Sequence, residues 1–164
     1  MIVFDSSTLI LLAKIDLLRE IVSHFEVIIT KEVEKESTKK ECFDAKLIAK
    51  LIKKKSIEVK ETTSEKGKER LRQDFNIEKG EASALLLAKM KSCSLATDDG
   101  PTIKACKIMN VRFITAIHFL IREYKNRSLD VDTALVKLEK LRKYGRYNPR
   151  IIEDASKRIK GGIV

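Results

Sequence analysis

Tryptophan is absent from this 164-residue sequence, aromatic residues make up only 5%, and there are two prolines and six glycines. So little proline and glycine excludes a collagen-like or Pro/Gly-rich low-complexity chain. With 43% hydrophobic residues the composition is that of a compact folded protein rather than a disordered one. Cys42, Cys93 and Cys106 are odd in number, widely spaced and without a C-x-x-C pair, which argues against a disulfide framework and against a zinc site. They read as small apolar residues kept reduced. A long hydrophobic run is also missing: the start Met-Ile-Val-Phe-Asp has no basic leader, and its apolar stretch is broken by Asp5, Lys14 and Asp16. Neither a signal peptide nor a membrane span of roughly 20 apolar residues fits, so the expectation is a cytoplasmic protein without a membrane partner.

What is present in quantity is charge. Thirty-four Lys and Arg against twenty-four Asp and Glu give a formal +10. That excess attracts polyanions, nucleic acid first among them. A solvated Lys/Glu-rich surface of the kind common in heat-stable proteins accounts for the same balance, so charge alone leaves both readings open. The length suits one domain burying about two-thirds of its unfolded surface.

Hydrophobic periodicity alternates between strand and helix. Ile2-Val-Phe4 is a short strand ending at Asp5, and Ser6-Ser7 can cap the helix that follows through Leu9, Ile10, Leu12 and Ala13. Val27-Ile-Ile29 is a second strand, passing through Thr30 into a helix start at Lys31 to Glu36. A helix over Phe43 to Lys54 leads to a strand over Ser56 to Val59, then to a very polar loop and helix over Glu61 to Arg72. Glu78 to Lys91 is the clearest helix. Ser94 to Thr97 is a strand running into Asp98-Asp99-Gly100-Pro101, where proline suits the first turn of a helix over Thr102 to Met109. A last strand, Val111 to Thr115, precedes a helix from Ala116 to Tyr124, and amphipathic helices over Val131 to Tyr144 and Pro149 to Ile159 close the chain. Because parallel neighbours need crossover connections, this order predicts a three-layer α/β/α sandwich around a mostly parallel five-stranded sheet.

In such a sheet, residues just past the strand ends meet on one edge, and ligands bind where the strand order reverses. Asp5 follows the first strand and Asp98 and Asp99 the fourth. Glu36 lies near the start of the helix after the second strand, and Glu81 near the start of the helix entering the fourth. Each acid alone is explained as a helix cap or as a complement to the helix dipole. Capping does not require acids at several points of one edge, since serine and threonine cap as well. Gathered carboxylates repel unless protonated or neutralised by a cation, and an oxygen-only ligand set favours Mg2+ or Mn2+ over zinc. Such ions activate water and stabilise charge developing on a phosphodiester.

Val3-Phe4-Asp5-Ser6-Ser7, Lys79-Gly80-Glu81-Ala82-Ser83-Ala84-Leu85 and Leu95-Ala96-Thr97-Asp98-Asp99-Gly100 resemble, in order and spacing, the acidic motifs of PIN-domain ribonucleases. The Gly80-Glu81-Ala82 element is the most specific of the three. Asn110 to Leu120 looks like that family's closing strand and helix. The resemblance covers about residues 1–125 as a PIN-like domain, and residues 126–164 are similar to a two-helix extension in a prokaryotic branch of uncharacterised PIN proteins that includes toxin-like members. It implies Asp5, Glu81, Asp98 and Asp99 as metal-binding residues, the motif leaving open which aspartate of the pair is the primary ligand. Glu36 joins the catalytic set through the Val33-x-x-Glu36 spacing, with Glu32 and Glu34 as neighbouring alternatives. Thr97 is implied to orient a ligand or water. The implied activity is metal-dependent endonucleolytic hydrolysis of single-stranded RNA, with a homodimer and an antitoxin protein as possible partners. The homodimer is also motivated by Leu17-Leu18 and Ile21-Val22, apolar positions that a single small sheet need not cover.

Two histidines are isolated, and His118 sits in the apolar run Ile117-Phe119-Leu120, so neither His24 nor His118 is given a role. Tyr144, Arg146 and Tyr147 form a basic-aromatic patch that can stack on bases or pack helices. A haloacid-dehalogenase-like phosphatase wants D-x-D where this chain has Asp5-Ser6-Ser7, and no phosphate-binding glycine pattern is present. The competing reading is a catalytically silent PIN-like module that binds RNA or protein.

Overall fold

The computed structural model describes residues 1–62 and 64–161. Thr63, in the polar stretch, and residues 162–164, at the end of the expected extension, lie outside them. The described residues form β1 (Ile2–Phe4), α1 (Ser6–Lys14), α2 (Leu18–His24), β2 (Val27–Thr30), α3 (Lys31–Thr38), α4 (Phe43–Lys53), β3 (Ile57–Lys60) and α5 (Glu65–Phe75). They continue with α6 (Lys79–Met90), β4 (Ser94–Ala96), α7 (Gly100–Met109), β5 (Phe113–Ile114), α8 (Ala116–Lys125), α9 (Val131–Tyr144) and α10 (Pro149–Lys160).

The strands pair in the order β3-β2-β1-β4-β5, and every pairing is parallel. The fold is therefore the expected α/β sandwich, with a wholly rather than mostly parallel sheet. Central β1 is apolar at all three positions and buried throughout, as a strand covered on both faces must be. From β1 the chain winds outward to β2 and β3, then returns to place β4 on the other side of β1. The strand order thus reverses between β1 and β4, the two strands that Asp5 and Asp98 follow.

The last strand is shorter than its pattern predicts. Asn110 takes a left-handed conformation (φ 54°), and the Val111 amide donates back to the Cys106 carbonyl at 2.9 Å, so Val111 closes α7 instead of extending β5. At the other end Thr115 becomes the N-cap of α8. Three of the four apolar positions offered for a dimer are covered within the chain: Leu17, Leu18 and Ile21 are fully buried, while Val22 is partly buried against the same core. They belong to the core that α1 and α2 build against the sheet, which removes them as a reason for self-association.

Helices α9 and α10 pack on α8 and α1. Leu138, Leu141, Ile152 and Ile159 are buried there, each worth roughly 1.5–3 kcal/mol of burial. Polar ties add to this: Tyr124 donates to the Ile159 carbonyl at 2.8 Å, and the Lys137 ammonium to the Ile15 and Asp16 carbonyls at 2.9 and 2.8 Å.

Candidate active site

The chain leaves β1 at Asp5 in extended conformation (φ −83°, ψ 172°), with the Asp5 amide still tied to the Ala96 carbonyl of β4 at 3.0 Å. Its side chain turns back to cap α1, one oxygen accepting from the Thr8 amide at 2.9 Å and the Ser7 hydroxyl at 2.8 Å. The other oxygen accepts from the Thr97 hydroxyl at 2.5 Å. Asp5 is the cap, then, rather than Ser6 or Ser7, and it caps while facing the β4 end. It is fully buried. Burial pushes its carboxyl up to about 7 against the hydrogen bonds from Thr8, Thr97 and Ser7, and the neighbouring Asp98 charge adds to the rise.

Past β4 the two adjacent aspartates part. Asp98 turns toward β5 and the C-terminal helices: it accepts from the Thr8 hydroxyl at 2.6 Å, from the Ala116 amide at 3.0 Å and from the Tyr147 hydroxyl. Asp99 turns to α7, where one oxygen caps the helix by accepting from the Thr102 amide at 2.9 Å and the Thr102 hydroxyl at 2.6 Å. Thr97 joins the two halves of the site, since its hydroxyl donates to Asp5 and accepts from the Asp99 amide at 3.3 Å.

Glu36 and Glu81 meet across α3 and α6. Glu36 accepts from the Gly80 amide at 3.1 Å with one oxygen and from the Ser6 hydroxyl at 2.9 Å with the other. A Cβ at position 80 would stand 2.1 Å from the Glu36 carboxylate, so only glycine leaves room for this contact. Of the alternatives to Glu36, Glu32 turns away to the buried Lys68 ammonium at 2.6 Å, and Glu34 acts electrostatically on Lys31. Glu81 has one buried oxygen with no hydrogen-bond partner. Burial raises its carboxyl above the usual range, and the charges of Glu36, Asp99 and Glu78 raise it further.

The expected residues thus share one edge but not one point. Asp5 and Asp98 form an inner pair held by hydroxyls and amides; Glu36, Glu81 and Asp99 form an outer group that repels itself. As the side chains stand, no three His, Cys, Asp or Glu groups among the described residues are gathered closely enough to hold a metal ion. The chemistry of the outer group nevertheless fits a hard cation: its donors are all oxygens, and the orphaned Glu81 oxygen lies among like charges that a cation would neutralise.

Sequence reasoning missed Ser6, Thr8 and Tyr147, whose hydroxyls hold Glu36 and Asp98. The run Asp5-Ser6-Ser7-Thr8 carried a signal, three hydroxyls directly after an acid, whereas Tyr147 lies 49 residues from its partner. Of the two readings of the Tyr144-Arg146-Tyr147 patch, Tyr147 takes the packing one: it is partly buried against the core, with its hydroxyl on Asp98. His118 pairs with the Thr115 hydroxyl at 2.7 Å as part of a helix cap, and exposed His24 pairs with buried Glu123 at 3.0 Å. Neither histidine hydrogen-bonds a carboxylate of the site, and His118 acts on Asp98 electrostatically.

A family model described as PIN domain matches residues 1–160 of the chain. No curated protein and no solved structure matches it. Among the described residues no helix is long and apolar enough to cross a membrane.

Proposed function

This chain belongs to the PIN-domain family, a nuclease-type fold whose members generally use divalent metal ions and act on RNA, and from that premise we propose that it is a metal-dependent endoribonuclease hydrolysing single-stranded RNA. The observation that carries the proposal is the orphaned Glu81 oxygen beside Glu36 and Asp99, on the edge where the strand order reverses. Glu81 and Asp99 would hold Mg2+ or Mn2+, with Glu36 completing the outer group and Asp5 facing it from within. Asp98 belongs to the catalytic set in a supporting position, since Thr8, Ala116 and Tyr147 already engage its oxygens. When bound, such an ion activates water and stabilises charge on the scissile phosphate. Thr97 fixes Asp5 relative to Asp99, and Gly80 and Ser6 hold Glu36 on the edge.

A homodimer, a toxin role with an antitoxin partner, a cytoplasmic location and the division into residues 1–125 and a 126–164 extension belong to the same reading and rest on the resemblance. The second reading, a silent RNA- or protein-binding module, is favoured by one observation, the absence of three gathered ligands among the described residues. Incubating purified protein with a broad RNA panel, with Mg2+ or Mn2+ and then with EDTA, separates the two. The enzyme reading expects cleavage that EDTA abolishes and a metal-induced rise in thermal midpoint. No cleavage together with no effect of EDTA on stability overturns it.

A further inference from the structure

A cluster of carboxylates repels the polyanion it is proposed to cut, so the opposite charge has to come from elsewhere on the same edge. Helix α9 runs up to that edge and α10 runs back, and the Tyr147 hydroxyl fastens the turn between them to Asp98. Gly145 makes the fastening possible: a Cβ there would stand 2.7 Å from the Tyr147 ring and 2.8 Å from the Leu141 carbonyl. The turn is basic. Lys143, Arg146 and Arg150 are exposed, whereas the ion pairs formed by the hairpin's described residues take Lys140, Arg142, Lys157 and Arg158. The Tyr144 ring is flanked by the Lys14 and Lys143 ammonium groups at 5.3 and 5.5 Å, so it gathers cations toward the turn.

We infer that the α9–α10 turn is a substrate wall of the site, binding the phosphate backbone of single-stranded RNA through Lys143, Arg146 and Arg150 beside the carboxylates. This rests on the ribonuclease reading and names the part of the chain that takes the substrate. A second basic run, Lys53-Lys54-Lys55, closes α4 ahead of β3 and therefore sits at the opposite edge of the sheet. It carries the same charge in the wrong place and serves as the control.

The test is equilibrium binding of a fluorescent mixed-sequence single-stranded RNA over a salt series in EDTA, which prevents metal-dependent cleavage. Changing Lys143, Arg146 and Arg150 together to Gln should weaken binding by about tenfold or more and reduce the slope of log affinity against log salt by about 2, as three lost phosphate contacts require. Changing Lys53, Lys54 and Lys55 together to Gln should leave both quantities near wild type. Both triple variants should keep the wild-type Mn2+-induced thermal shift. Equal losses in the two variants, or wild-type affinity and slope in the first, overturn the inference while leaving the ribonuclease reading standing if the wild type still cuts RNA. A wild-type protein that neither binds nor cuts RNA overturns both.

Discussion

Glu36 on α3 accepts a hydrogen bond from the Gly80 amide on α6 at 3.1 Å, in a space where a Cβ at position 80 would stand 2.1 Å from the same carboxylate. Two residues 44 positions apart therefore hold one acid on the edge of the sheet, and the glycine of the Gly80-Glu81-Ala82 element has a steric reason to be there.

Gly80→Ala separates the site from the fold. The colliding group is the far end of a flexible side chain, so it can swing away, and alanine is about 1 kcal/mol more favourable than glycine inside a helix. Metal-free stability should stay within about 1 kcal/mol of wild type, because the gain in helix propensity is offset by the Gly80 amide that loses its Glu36 acceptor. The Mn2+-induced thermal shift and RNA cleavage should both fall, because Glu36 has left its position. Thermal melts with and without Mn2+ read both effects, and an undiminished shift would remove Glu36 from the outer group.

The two adjacent aspartates should respond differently. Asp98→Ala strands the Ala116 amide and the Thr8 and Tyr147 hydroxyls that it accepts from, at a cost of about 1–3 kcal/mol for each donor left buried without a partner. Its thermal midpoint should drop, and the Mn2+-induced shift measured from that lower midpoint should persist. Asp99→Asn keeps the cap on α7, because asparagine caps as well as aspartate. Its metal-free midpoint should stay near wild type while the Mn2+ shift collapses. The reverse pattern would make Asp98 the ligand.

The pH dependence of the metal-free protein follows from Asp5. Its folded-state carboxyl is raised to about 7 from 3.8, so the folded protein binds this proton more tightly than the unfolded chain does. Stability contributed by the protonated form is present at low pH and is lost as pH rises from about 4 to about 7. At about 1.4 kcal/mol for each pKa unit, the ceiling on that loss is about 4 kcal/mol. Asp5→Asn cannot ionise, so in EDTA its midpoint should be flatter across this range and should exceed wild type near neutral pH. Chemical denaturation at stepped pH measures it; parallel profiles for the two proteins would refute the assignment.

Much of this was legible in the residues because the signals are local. Three apolar residues before Asp5 make a buried strand, a proline after Asp99 starts a helix, and the period of Val131 to Tyr144 bounds α9 where the structure has it. The ends of β5 were harder to place, since Val111 and Thr115 are good strand formers that the structure spends on closing one helix and opening the next.

The sequence by itself determined that strands alternate with helices, and so that acids following the strands must share the edge at which parallel strands end. Periodicity and capping act within a few residues and are written directly in the chain. Only the tertiary structure decided that the adjacent Asp98 and Asp99 face different partners, that Glu36 rather than Glu32 meets the Gly80 amide beside Glu81, and that Tyr147 reaches Asp98. Apart from the local cap that Asp99 places on Thr102, each of those contacts joins residues far apart in sequence, and its geometry depends on how helices pack over the sheet. No window of neighbouring residues contains that information, because the partner that orients each side chain arrives only when the chain has closed on itself.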